Sequence, residues 1–266
     1  MFDVEYFLEL FLGGLTRGSI YALIALGYTM VYGIIELINL AHGEIYMIGA
    51  FTALIIASVL TMLGWNVVAI LVIASTAAVI YSSAYGYTVE KMAYKPLRQA
   101  PRLSALISAI GMSLFLQNYV LLAQTSDFMP FPSLIPDLEF WEPYAHIISS
   151  QEVVIIITTA VVMILLTFLI KFTRIGRAMR ATAQDRDMAM LVGIDVDRVI
   201  SVTFLVGSAT AALGGVLIAS HIGQINFYVG FIAGIKAFVA AVLGGIGSIP
   251  GAVLGSLVLG WTESFF

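Results

Sequence analysis

The sequence has 266 residues, 61% of them hydrophobic and only 11% charged, with a mean hydropathy of +1.02 and a net charge of -4. Ordinary soluble domains carry about 45 to 50% apolar residues, so the composition excludes a water-soluble globular protein, and the acidic balance speaks against nucleic acid as a partner. Cysteine is absent, which excludes disulfides, thiolate catalysis and cysteine-bound zinc.

The chain opens with MFDVEYFLELFLGG, which is acidic and lacks the basic region of a cleaved signal peptide, so this segment is expected to remain on the protein. A bilayer core about 30 Å thick needs about 20 apolar residues per helical span. Runs of that kind fall at 19–35, 45–63, 67–89, 103–123, 153–170, 199–219 and 231–249, and an eighth begins near Gly251. Residues 6–15 either extend the first span or lie at the interface. Runs this long and continuous do not suit barrel strands, and a lipid-exposed backbone must satisfy its own hydrogen bonds. The expected fold is an all-α polytopic bundle of about eight spans, forming one transmembrane domain over 1–266.

After the first span, ELINLAHGEIYMIGAF places Glu36, Asn39, His42 and Glu44 within one of the most apolar regions. HGE is superficially like the H-x-E of zinc deaminases, but no cysteine pair follows, so metal is rejected. Two readings remain: a short cytoplasmic turn whose polar residues cap helix ends, or a broken helix lining a transport path. The next polar stretch, KMAYKPLRQAPR, holds Lys91, Lys95, Arg98 and Arg102. The segment TSDFMPFPSLIPDLEFWEPYAHIISSQE has no Lys or Arg and carries Asp127, Asp137, Glu139, Glu142 and Glu152. A second basic loop contains Lys171, Arg174, Arg177, Arg180, Arg186 and Arg198; the two basic loops together hold all but two of the 12 Lys and Arg. The positive-inside rule puts both basic loops in the cytoplasm and the acidic segment outside. Three spans before the first basic loop then put the N-terminus outside.

Near the end of the chain, LGGIGSIPGAVLGSLVLG interrupts an apolar run with glycines and a proline, as the first break does. Paired interruptions in two halves point to a transporter's path, because an opened helix exposes backbone groups that only a watered cavity can solvate. Asn39, His42, Glu44, Gly244, Gly245 and Gly247 are therefore candidates for that path. Lys236 is a further candidate, although it lies about 8 Å from the outer end of its span and can equally snorkel to the interface; Arg17 is similarly placed. Glycines spaced by four, at Gly14 and Gly18, at Gly230 and Gly234, and at Gly247, Gly251 and Gly255, are read first as close helix contacts.

In RIGRAMRATAQDRDMAMLVGIDVDRV, Asp187, Met188 and Ala189, followed three residues later by Gly193, have the spacing of the Glu-Ala-Ala-x3-Gly coupling loop of ABC importer permeases. GSIYALIALGYTMVYGIIELINLAHGEIYMIGA, SALISAIGMSLFLQNYV and KAFVAAVLGGIGSIPGAVLG resemble segments of the H-type permease of the high-affinity branched-chain amino-acid ABC importer. Asp187 stands where that loop has Glu, and Met188 where it has the first Ala. The resemblance covers nearly the whole chain and implies one more C-terminal span than is present here. Independently of it, a helix over this loop puts Met188, Leu191 and Val192 on one face, with Gln184, Asp185 and Arg186 free to meet water and Gly193 able to end the helix. The alternative is an amphipathic helix lying on lipid, helped by Arg174, Arg177 and Arg180.

No G-x-x-x-x-G-K-[ST] phosphate loop is present, so no ATP hydrolysis is expected of this chain. The resemblance assigns ATP and Mg to two partner ABC ATP-binding subunits. It also implies a homologous second permease, an extracytoplasmic solute-binding protein, and residence in a bacterial or archaeal plasma membrane. Residues 172–198 are the expected cytoplasmic coupling loop, with Asp187, Met188, Ala189, Leu191, Val192 and Gly193 meeting the ATPase. Branched-chain amino acids are the implied cargo, urea or a short amide is the alternative, and an ion-coupled carrier or channel is disfavoured by the coupling motif. A serine protease built on Ser248 with His221 or His42 is disfavoured, since Ser248 precedes Ile249 and Pro250 rather than sitting in a nucleophile turn.

Overall fold

The computed structural model describes residues 4–135 and 148–266. Asp137, Glu139 and Glu142 of the acidic segment lie outside the described residues. Ten α-helices are described: α1 Val4–Ile35, α2 His42–Met62, α3 Val67–Val89, α4 Arg102–Ala123, α5 Ser150–Phe172, α6 Arg174–Gln184, α7 Arg186–Leu191, α8 Val196–Ile222, α9 Val229–Leu243 and α10 Ile249–Phe265. Among the described residues six helical segments are long and apolar enough to cross a membrane, and α9 is a shorter apolar helix in addition to them. The protein is an all-α polytopic bundle.

Helix ends follow local chemistry. Asn66 starts α3 by accepting from Val68 N at 2.8 Å. Ser149 and Glu152 form a reciprocal capping box at α5. Thr173, Asp185 and Asp195 cap α6, α7 and α8, their side chains accepting from Gly176 N, Met188 N and Arg198 N. Residues 6–15 belong to the same helix as the first span, α1 running for 32 residues without interruption. The seventh run, expected over 231–249, ends sooner, at Leu243 of α9, and the eighth, expected from near Gly251, is α10, which starts at Ile249, with the glycine-rich interruption between them. Hydropathy stays high across this join, but Gly245 and Gly247 take φ of 85° and 98° there, a region that ends a helix and that glycine enters without steric cost.

Helices α1 and α8 form the buried centre, and α2, α9 and α10 pack around them. Glycines make these contacts close. A Cβ at Gly18 would meet the Leu257 backbone, one at Gly234 the Gly43 backbone, and one at Gly251 the Gly244 carbonyl. Apolar side chains gain nothing by leaving lipid for one another, so backbone proximity and van der Waals contact carry such packing. Helices α3, α4 and α5 turn large residues outward, among them Val72, Ile80, Phe115, Ile164 and Phe168, as lipid-facing helices do.

The two basic stretches share one face. Lys95 pairs with Asp197 at 2.7 Å, and Arg98 binds both Asp197 and the buried Glu90. Glu90 also receives Lys91 at 3.3 Å and the Ser201 hydroxyl at 3.1 Å. This network closes around a π-turn, Glu90–Tyr94, that continues α3. At the opposite face, β1 (Met129–Pro130) pairs antiparallel with β2 (Gln224–Ile225), and Leu134 N donates to Ser220 Oγ at 3.1 Å.

Candidate translocation path and coupling surface

The first interruption begins where α1 ends. Glu36 N donates to Tyr32 O at 2.8 Å, and Glu36 takes φ of 53°, the only non-glycine with positive φ among the described residues. For a residue with a Cβ this left-handed conformation costs roughly 1 to 2 kcal/mol, so surrounding contacts hold the turn. Tyr94 of the π-turn supplies one, its hydroxyl lying 3.0 Å from Asn39 Oδ1 and 3.3 Å from Ile38 O.

The chain then re-enters the bundle. A Cβ on Gly27 would collide with the His42 ring and approach the Gly207 carbonyl, so His42 occupies a notch made by two glycines on α1 and α8. Tyr28 closes over it, edge to face, at 4.9 Å between centroids. Gly27 lies about 12 Å inside the Ile35 end of α1, which puts the start of α2 at membrane depth. Asn39, His42 and Glu44 are all buried, and Asn39 Nδ2, His42 Nε2 and Glu44 Oε2 have no hydrogen-bond partner among the described residues. Three such atoms within one break are unusual, since buried polar groups are ordinarily satisfied.

The second interruption comes to the same place. Gly247 lies against Gly33 of α1, and Ser248 caps α10, its Oγ accepting from Gly251 N at 3.3 Å. Ser248 therefore serves as a helix cap. A cavity of about 460 Å³ separates α1 from α5, α6 and α10, with Thr29, Gly33, Gly247 and Ser248 in its wall; Thr29 Oγ1 is buried and unpartnered among the described residues. On the other side of the last turn of α1, a cavity of about 530 Å³ is bordered by Glu36, Arg98, Thr182 and Asp187. The end of α1 thus stands between both breaks. Lys236 lies elsewhere: it pairs with Glu263 at 2.5 Å and donates to Tyr21 at 3.3 Å, while Arg17 donates to the Glu263 carbonyl at 3.2 Å. This cluster ties α1, α9 and α10 together.

Helix α7 occupies the expected coupling segment. Asp185 accepts from Met188 N at 3.0 Å, and Gly193, at φ of 84°, ends the helix. Ala189 is buried, whereas Met188, Met190, Leu191 and Val192 are exposed by 60, 55, 79 and 76%. The anticipated ridge of Met188, Leu191 and Val192 is open and widened by Met190. Arg186 departs from expectation. It is partly buried, and its Nη2 donates to Ile34 O at 3.1 Å, so the first residue of α7 grips the last turn of α1. A cation at a helix C-terminus also meets the negative end of the helix dipole. Sequence reasoning did not find this contact, the Tyr94–Asn39 bond or the Glu90 network. Glu90, a lone acid at the inner end of a span, was the one visible signal. Among the described residues, no group of three or more His, Asp or Glu is gathered to hold a metal ion.

A membrane bundle with two helix interruptions meeting at one buried helix end, and a short apolar helix exposed beside its basic face, has the architecture of a transport permease. Residues 10–266 match the family described as branched-chain amino acid transport system, permease component, and the chain belongs to that family. It is 52% identical over 265 residues to the high-affinity branched-chain amino acid transport system permease protein LivH of Salmonella typhimurium, an alignment covering 97% of this chain and 85% of that protein. The LivH protein of Escherichia coli K12 is 51% identical over 263 residues, with 97% and 85% covered. The permease protein BraD of Pseudomonas aeruginosa is 50% identical over 267 residues, with 99% and 87% covered. The family consists of membrane transport subunits rather than enzymes, and the chain is a multi-pass protein of the inner membrane.

Proposed function

We propose that this chain forms the membrane path of an ATP-driven importer of branched-chain amino acids, and that α7 is the helix through which an ATPase drives it. The carrying observation is the exposed apolar ridge of Met188, Met190, Leu191 and Val192 on a helix anchored to the bundle by Arg186. Family membership and the names of the relatives support the cargo. In this reading residues 172–198 form the cytoplasmic coupling loop of a single permease domain. Two ATP-binding subunits supply ATP and Mg, a homologous permease completes the path, and a solute-binding protein delivers cargo from outside. Asn39, His42, Glu44, Gly244, Gly245 and Gly247 belong to the path, which opens and closes around the end of α1. Lys236 is assigned to helix pairing instead.

The test is Leu191→Asp. Placing a charge in an apolar groove without a partner costs several kcal/mol, and an interface resting on a few apolar anchors does not absorb that. The variant should insert normally, lose ATPase co-purification, and abolish uptake of labelled leucine and valine into vesicles carrying the complete complex. Retained co-purification with stimulated hydrolysis would remove α7 from the coupling role. Uptake of urea without leucine or valine by the unaltered complex would reassign the cargo.

A further inference from the structure

Between α1, α4 and α9 lies a cavity of about 340 Å³ with Leu40, Ile110, Leu114 and Phe231 as apolar wall, and with Tyr28 and Ser113 as its polar groups. That volume falls within the range of small-molecule sites, about 300 to 1,000 Å³. Behind Ser113 stands Glu44, fully buried. The Ser113 hydroxyl donates to Glu44 Oε1 at 3.0 Å, and Glu44 Oε2 has no partner among the described residues. A Cβ on Gly230 would lie 2.7 Å from that oxygen, so the backbone of α9 presses against the carboxylate from the other side.

An ionisable side chain at membrane depth is costly, and it usually marks a path for a substrate or ion. Here the chemistry facing the cavity is specific. Because the Ser113 proton is committed to Glu44, the lone pairs of its oxygen are left as acceptors, reinforced by the acid behind them. Tyr28 brings a phenolic hydroxyl, a donor, to the wall beside Gly234, where a Cβ would lie 3.3 Å from its oxygen. An acceptor backed by an acid, a donor, and an aliphatic wall match the three parts of a zwitterionic aliphatic amino acid. We propose that this cavity is a substrate-recognition site inside the permease, with the ammonium on Ser113, the carboxylate toward Tyr28, and the side chain against Leu40, Ile110, Leu114 and Phe231. The inference rests on the transport reading above and adds to it a place where the membrane subunit itself selects its cargo.

The test uses the complete complex in vesicles, with the same solute-binding protein throughout. Ser113→Ala removes a hydrogen bond to a charged group, so leucine uptake should fall about tenfold, with ATPase co-purification retained; Ser113→Thr, which keeps the hydroxyl, should restore most of it. Leu114→Phe narrows the aliphatic wall and should lower the ratio of leucine to valine uptake by about tenfold, the discrimination that one methylene supports in a hydrophobic pocket. A purely structural cavity, or one filled by a lipid tail, would leave that ratio unchanged, and an unchanged ratio would overturn the proposal. So would unaltered leucine uptake by Ser113→Ala. Failure of the unaltered complex to move either amino acid would instead remove the transport reading, and this inference with it.

Discussion

At Gly27 a single added methyl group has nowhere to go. Its Cβ would overlap the imidazole of His42 and lie 2.9 Å from the carbonyl of Gly207, so neither a rotamer change of the ring nor a small shift of α8 relieves it easily. Overpacking of this kind costs about 1 to 3 kcal/mol. Gly111 on α4 offers the contrast, because nothing lies within 4 Å of its Cβ position. Gly111→Ala should leave stability unchanged or raise it by up to about 1 kcal/mol through helix propensity. Gly27→Ala should lower the thermal unfolding midpoint of the detergent-purified protein and reduce transport. Equal midpoints for the two variants would show that His42 is not held in a notch. The histidine's place illustrates what residue types alone convey: a polar residue beside a glycine reads as a cap or as part of a path, whereas the notch that holds it is made by Gly27 of the preceding helix and Gly207 of α8, far away in sequence.

At the scale of elements, the join between α7 and α1 decides how a motor's movement reaches the path. Helix α7 is only six residues long, so any displacement of its exposed ridge is passed on through its anchors: Ala189, packed inward, and Arg186, bonded to Ile34 O. Ile34 borders both cavities that flank the end of α1. Arg186→Ala should therefore separate two properties that Leu191→Asp removes together. The ATPase should still co-purify and hydrolyse ATP, while amino acid taken up per ATP falls several-fold and is partly restored by Arg186→Lys. An unchanged ratio of uptake to hydrolysis would leave Arg186 as a helix cap and nothing more. Most of these elements were legible in the sequence, because hydropathy over about 20 residues senses the bilayer directly. The glycine-rich interruption between α9 and α10 was legible as well, but its bounds were not, since glycine and isoleucine keep hydropathy high where backbone dihedrals break the helix. Nor was Arg186 legible, because a cation in a basic loop looks solvated until the carbonyl it reaches is known.

For the whole molecule, the internal ties fix which loops share a side, and charge fixes which side that is. Arg98 and Lys95 of the first basic loop bind Asp197 at the start of α8. Residues 129–130 pair with 224–225 at the other end of the same bundle. Neither basic stretch can therefore be moved across the membrane alone; the topology inverts as a unit or not at all. The charge bias of loops near spans selects the orientation with Lys and Arg inside, and that orientation alone lets α7 meet an ATP-driven partner. The absence of cysteine makes the choice measurable with single introduced thiols. Ser126 and Gln99 are exposed on opposite faces. A membrane-impermeant maleimide should label Ser126→Cys in intact cells and Gln99→Cys only after permeabilisation. The reverse pattern would place α7 outside, where no ATPase could engage it, and the importer assignment would fall with the topology.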